Sequence, residues 1–252
     1  MNISEKLILA TIESDGEKAL PDLPCLHLCY FAGQGSQLKS HYSIHNPAHS
    51  YMGILESPQQ SPIALPEKFA EAVVYEVQRL GFAGVFADIE NPTRQKEMLP
   101  ALDEALHAAG IPLFVPLSAE HQVQYAVLTL QTDISGGSLE EYVAQYEKQY
   151  GADRLAAHLV PICADYKLPT LKAGDTNLHP KDVEALMQKY HTSPFYSKEL
   201  QCNYFTYMDE QEQGHFVVFD TKRTLETKMH TLTQMGIPYF FIVYPDYALF
   251  LA

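Results

Sequence analysis

Two carboxylates, two residues apart at the end of a short apolar run, are the residues of this chain best placed to do chemistry. The run is Gly81-Phe82-Ala83-Gly84-Val85-Phe86-Ala87-Asp88-Ile89-Glu90-Asn91-Pro92. Read as a strand, it puts Gly84, Phe86, Asp88 and Glu90 on one face and Val85, Ala87 and Ile89 on the other. Acids on an otherwise apolar strand are costly to bury, so something must compensate them. One compensation is chemical: a carboxyl beside a charged neighbour keeps its proton and can act as an acid. The alternative is that both acids cap the next helix or face solvent in the loop.

Other polar residues recur at strand ends. In Tyr125–Asp133, Thr129, Gln131 and Asp133 alternate with apolar Leu128 and Leu130. The apolar set is expected to face outward, which leaves Gln131 and Asp133 near the top of an interior. In Cys25–Phe31 the same reasoning turns Leu26 and Leu28 outward and His27 inward. His41, His45 and His49 are spaced by four, and a helix would align them as metal ligands. Pro47 argues against a continuous helix there, so these read as loop histidines and no metal is expected. Gly136-Gly137-Ser138 reads as a tight loop with Ser138 as the N-cap of a helix, although its backbone N–H groups could also hold an anion. The aromatic run Tyr204-Phe205-Thr206-Tyr207 before His215 suits either a sugar groove or a hairpin.

The elements that must position these residues follow one phrase: an amphipathic helix, a glycine, then a short apolar strand. Pro66 to Leu80 carries Phe69, Val73, Val77 and Leu80 at helical spacing and stops at Gly81. Arg94 to Ala109 carries Met98, Leu99, Leu102 and Leu106, stops at Gly110 and leads into Ile111–Val115. Ser138 to Tyr150 opens with a capping box of Ser138 and Glu141, buries Leu139, Val143 and Tyr146, and stops at Gly151. Pro180 to Tyr190 reads as a helix on Val183, Leu186, Met187 and Tyr190. Thr224 to Met235 carries Leu225, Met229 and Leu232, stops at Gly236 and leads into Tyr239–Val243. Tyr51–Leu55, Leu155–Cys163 and His215–Phe219 are further strand candidates.

Alternating helices and all-apolar strands imply parallel strands covered by helices. Roughly seven or eight strands in 252 residues suit a closed (β/α)8 TIM-type barrel, α/β in class, better than an open doubly wound sheet. The expected organisation is one barrel domain over residues 1–252, with residues 1–24 as a lead-in. Gly33-Gln34-Gly35-Ser36 lacks the third glycine and the following helix of a dinucleotide loop, so no nucleotide cofactor is expected.

Composition narrows the function. The chain is 46% hydrophobic and 19% charged, with a net charge of −14. That charge argues against nucleic acid and anionic membranes as partners. No apolar run reaches the roughly eighteen residues of a transmembrane helix, and Met1 to Ala10 does not read as a signal peptide. A cytoplasmic protein is therefore expected. Cys25, Cys29, Cys163 and Cys202 are too scattered for a zinc site and read as thiols.

Gly81 to Pro92 resembles the strand-four signature of family 18 glycoside hydrolases, the chitinase group, written G-F/Y-D-G-I/V-D-x-D-x-E. Asn91-Pro92, the helix to Ala109 and Gly110–Leu117 are similar to the branch of spore-cortex-lytic N-acetylglucosaminidases. Phe219-Asp220-Thr221-Lys222-Arg223-Thr224-Leu225-Glu226-Thr227-Lys228-Met229 resembles the family's YDD-x-x-S-I/L-x-x-K segment. The resemblance runs in order over roughly residues 50 to 245. It implies a TIM barrel in which Glu90 protonates the leaving oxygen. Asp88 would orient the substrate's own N-acetyl group, which attacks the anomeric carbon.

The departures from that pattern are specific. The family's first two signature acids fall on Ala83 and Phe86, the strand-six tyrosine falls on Thr132 with Asp133 kept, and the last-strand tryptophan falls on Val243. Tyr244 could replace that aromatic platform only by a one-residue shift, and the chain has no tryptophan. The expected site is thus Glu90 and Asp88 for catalysis, with Gln131, Asp133, His27 and Tyr244 around the sugar. The expected substrate is a β-linked N-acetylglucosamine glycan, a small glycan or peptidoglycan fragment given the charge. The alternatives are an inactive barrel that binds a glycan or a protein partner, and a different hydrolase or transferase that reuses Glu90.

Overall fold

The computed structural model describes residues 7–11, 23–32, 36–42, 44, 49–56, 64–169 and 176–251. The first unit is a closed barrel of eight parallel strands. In chain order these are β1 (Leu7–Thr11), β2 (Cys25–Ala32), β4 (Tyr51–Leu55), β5 (Gly84–Asp88), β6 (Leu113–Pro116), β7 (Val127–Gln131), β8 (Leu155–His158) and β14 (Tyr239–Val243). They are hydrogen-bonded in that circular order, and the β1–β2 pairing closes the ring. A short β3 (Leu38–Ser40) folds back antiparallel on β2. The first barrel strand thus lies inside the segment expected as a lead-in.

Helix α1 (Pro66–Leu80) follows β4, and α2 (Pro92–Ala108) follows β5. They bury Phe69, Val73 and Val77 in α1 and Met98, Leu99, Leu102 and Leu106 in α2, as their spacing predicts, while Leu80 at the end of α1 is half-buried. Gly81 ends α1 in the left-handed conformation at φ 77°, which glycine adopts without a steric cost. Between β6 and β7 the connection is a 3₁₀ turn, Leu117–Gln122, in place of a helix. Helix α3 (Leu139–Tyr150) follows β7, with Ser138 Oγ accepting from the Glu141 N–H at 3.4 Å. That is the N-cap role expected of Ser138.

The barrel interior is filled by a cluster of apolar side chains drawn from all eight strands. Ile8, Ala10, Leu26, Phe86, Phe114, Ala156 and Phe241 form its buried centre, with Leu28, Tyr51, Val127, Tyr239 and Val243 packed against it. Leu26 and Leu28 therefore point inward, and His27, between them, points outward. This reverses the expected orientation of β2. His27 is wholly buried on the outer face, its ring edge-on to Phe82 at 6.4 Å. Both faces of a barrel strand are dry, so alternation reveals two faces without saying which is inner. Gly53 sits where β4 meets β2, and a Cβ there would lie 2.7 Å from the His27 carbonyl oxygen.

The chain between β8 and β14 builds most of a second unit. Its five-stranded sheet has the order β10 (Thr176–Asn177), β9 (Cys163–Leu168), β13 (Gly214–Phe219), β12 (Cys202–Met208) and β11 (Phe195–Ser197), all antiparallel. The candidate strand Leu155–Cys163 is therefore two strands, β8 and the start of β9. His215–Phe219 is part of this antiparallel sheet, and Tyr204–Tyr207 is its hairpin partner. Helix α4 (Pro180–Lys189) covers one face of the sheet with Val183, Leu186 and Met187 against Phe205, Val217 and Phe219. On that same sheet the Tyr207 hydroxyl donates to Asp165 at 2.7 Å, and His215 Nδ1 lies 2.9 Å from the same carboxylate.

The second unit is pinned by a buried ion pair. Lys228 of α5 (Lys222–Gln234) has no exposed surface; its Nζ donates to Asp220 at 2.7 Å and to the Thr132 carbonyl at 3.1 Å. Asp220 also accepts from the Ile162 N–H at 3.0 Å and the Thr224 hydroxyl at 2.7 Å. Removing one partner of such a pair leaves an uncompensated buried charge, at a cost of about 3–5 kcal/mol. Lys228→Met is expected to lose about that much in urea unfolding, whereas Lys222→Met on the exposed first turn leaves the midpoint in place. Equal midpoints for the two variants would show that the pair carries no stability.

Candidate active site

Asp88 and Glu90 lie at the C-terminal end of β5, the end at which (β/α)8 barrels carry their chemistry. Asp88 shares the inner face with Phe86 and is paired in register with Leu55, the last residue of β4. Ile89 turns away and is buried, and Glu90 is exposed. The two carboxylates are therefore neighbours through charge; no hydrogen bond joins them among the described residues.

Three polar contacts fix the loop that carries Glu90. Gln95, buried on the first turns of α2, donates to the Ile89 carbonyl at 2.8 Å. Asn91 caps α2 by accepting from the Thr93 and Arg94 N–H groups at 3.0 and 3.3 Å, ahead of Pro92 at the first helical position. The Asn91 N–H itself donates to Glu56 Oε1 at 2.5 Å. Glu90 is thus held between two anchored residues, Ile89 and Asn91.

Glu56 and Gln95 were not among the residues expected at the site. A sequence signal for Glu56 existed, because it directly follows the candidate strand Tyr51–Leu55 and so had to lie at the same end as Asp88. The signal for Gln95 was weaker: a polar residue on a face otherwise marked by Met98, Leu99 and Leu102.

The electrostatics of Asp88 follow from this placement. Burial, then the charges of Glu90 and Glu56, hold its carboxyl above the ordinary value of 3.8. Among the described residues none donates a hydrogen bond to it. Elsewhere in the chain, burial pushes the Cys29 and Cys202 thiols up to about 12, which keeps both protonated at neutral pH.

The remaining expected site residues fall in different places. His27 is on the outer face of β2 and leaves the candidate site. Gln131 ends β7 and is exposed, as is Asp133 in the segment after it. Thr132, at the strand-six tyrosine position, is buried and gives its carbonyl to Lys228. Tyr244 is half-buried as the first residue of α6 (Tyr244–Leu251). Phe86 lies in the interior with its ring edge-on to Phe241 at 5.1 Å, and Val243 packs against the same cluster. His41 stacks on Phe31 at 4.5 Å, while His45 lies outside the described residues.

Solved structures of known enzymes share this architecture. The Bacillus cereus spore cortex-lytic enzyme SleL superposes with a TM-score of 0.65 at 17% identity, over 94% of this chain and 70% of that one. A chitinase from Chromobacterium violaceum gives 0.66 at 15% identity, over 94% and 93% of the two chains. The class V chitinase of tobacco gives 0.58 at 10% identity, over 97% and 96%. At these identities the likeness is one of fold, and the chitinase-like TIM barrel expected from the sequence is the fold found. No family model and no curated protein matches the sequence.

The raised Asp88 carboxyl has a sign that unfolding can read. The folded protein holds this proton more tightly than the unfolded chain does. Its contribution is therefore present in full below the ordinary aspartate value and lost as pH rises through the raised one. Asp88→Asn, which cannot ionise, is expected to raise the urea midpoint at neutral pH. It should match the wild type below the ordinary aspartate range. A midpoint lowered at neutral pH, or a difference independent of pH, contradicts the assignment.

Proposed function

We propose that the C-terminal end of the barrel is a glycosidase site acting on a β-linked N-acetylglucosamine glycan. The observation that carries this reading is the placement of Asp88 inside the barrel rim and Glu90 two residues beyond it, on a loop anchored from both sides. Glu90, exposed, would give its proton to the glycosidic oxygen as the bond to the anomeric carbon breaks. The substrate's acetamido oxygen would form the new bond to that carbon, and Asp88 would hold the acetamido group as positive charge develops. Water, deprotonated by the Glu90 carboxylate, would then open the cyclic intermediate and restore the acid. The chitinases and the spore cortex-lytic enzyme that share the fold support a glycan as the substrate class. The net charge of −14 favours a short, weakly charged fragment over an intact anionic wall.

A second reading, a silent barrel that binds without turnover, is favoured by Phe86. The side chain at the position of a signature acid is built into the apolar interior against Phe241, so Asp88 has no carboxyl partner on its own strand face.

Hydrolysis of a chromogenic N-acetylglucosamine oligomer by the wild type and by Glu90→Gln separates the two. The glycosidase reading expects turnover that falls by about 10²–10⁴-fold in the variant, the scale of general-acid catalysis. A folded but inert wild type that binds the oligomer by calorimetry would establish the silent barrel. Neither turnover nor binding would remove both.

A further inference from the structure

A cavity lies at the opposite end of the barrel from Asp88. It opens where β6, β7 and β14 begin and α2 ends, and its volume of about 420 Å³ suits a small organic ligand. Asp103 of α2 lines it and is only 4% exposed. Its Oδ2 accepts from the backbone N–H groups of Gln124 at 2.5 Å and Tyr125 at 2.9 Å, which fixes the carboxylate. Its Oδ1 is buried and no group donates to it. A buried carboxylate oxygen left in that state is unfavourable, and a ligand that supplies an N–H removes the cost.

The walls narrow the class of ligand. His107, one turn beyond Asp103 on α2, stacks face to face on Tyr125, with centroids 3.7 Å apart and planes within 2°. Both rings reach the surface, so they form an exposed flank beside a buried acid. Tyr239, Pro112 and Val127 are among the other residues of the lining, which contains no lysine or arginine. A hard metal ion is a poor occupant, because it takes several oxygen ligands and only one carboxylate is present. A flat group that carries positive charge matches both the acid and the rings.

We propose that this cavity binds a flat organic cation, an aryl amidinium or a protonated heteroaromatic amine, through the Asp103 carboxylate and the Tyr125–His107 ring pair. The inference does not rest on the glycosidase reading. Benzamidinium is the probe and neutral benzamide its control of the same shape, each titrated into the full chain and followed by backbone amide NMR. Benzamidinium is expected to shift the Gln124 and Tyr125 amides and to bind at least about tenfold more tightly than benzamide. Asp103→Asn keeps an oxygen for the two backbone donors and is expected to weaken benzamidinium by at least about tenfold. If that variant fails to fold, His107→Ala on the exposed flank replaces it and is expected to weaken the probe severalfold. Equal binding of the two probes, shifts confined to other amides, or variants that bind like the wild type would overturn the proposal.

Discussion

Phe86, Phe114 and Phe241 come from three different barrel strands and meet inside the ring, with Phe241 edge-on to each of the other two at 5.1 Å. Tyr51 and Tyr239 extend the cluster, each edge-on to Phe114, at 5.8 and 5.0 Å. Edge-to-face packing of this kind sets ring orientation as well as burying area, so it constrains which residue of each strand points inward. A one-residue slip of β5 would carry Phe86 out of the cluster and Asp88 off the rim together. The position of the candidate acids is therefore a consequence of how the aromatic interior packs.

The same packing determines what Asp88 experiences. In the resembled signature an acid precedes it by two residues on the inner face, and here that place belongs to Phe86. Low polarity below and the charges of Glu90 and Glu56 above act in one direction, and all three favour the protonated carboxyl. Glu56 directly follows the neighbouring strand β4 and also holds the Asn91 N–H, so it links the charge environment of Asp88 to the loop that carries Glu90.

What the sequence made legible was whatever depends on local pattern. The helices over 66–80, 139–150 and 180–189, the strands Tyr51–Leu55 and Tyr239–Val243, and the barrel itself follow from periodicity and glycine stops. The inner face of β5 was also readable, because acids mark the rim. The inner face of β2 was not: Cys25-Leu26-His27-Leu28 is buried on both sides, and wholly buried His27 lies on the side the pattern rejected. Nor could composition separate β13 from a barrel strand, since an apolar run of its length serves a parallel barrel or an antiparallel sheet equally well. Glu56 was missed because its role comes from strand adjacency, which a single chain does not display.

Three aspartates show how differently this protein treats a carboxyl taken out of water. Asp220 receives Lys228, a backbone N–H and a hydroxyl, so its charge is met in full and it serves to lock α5 to the segment around Ile162. Asp103 receives two backbone N–H groups on one oxygen and nothing on the other, which makes it rigid and still able to accept. Asp88 receives no donor among the described residues and faces two further carboxylates, so its environment opposes ionisation. Full compensation suits a structural role, because any change in partner is costly. Half compensation suits recognition, because a ligand's N–H completes the set. Lack of compensation keeps a proton on the Asp88 carboxyl to higher pH, which leaves a group able to donate as well as accept a hydrogen bond.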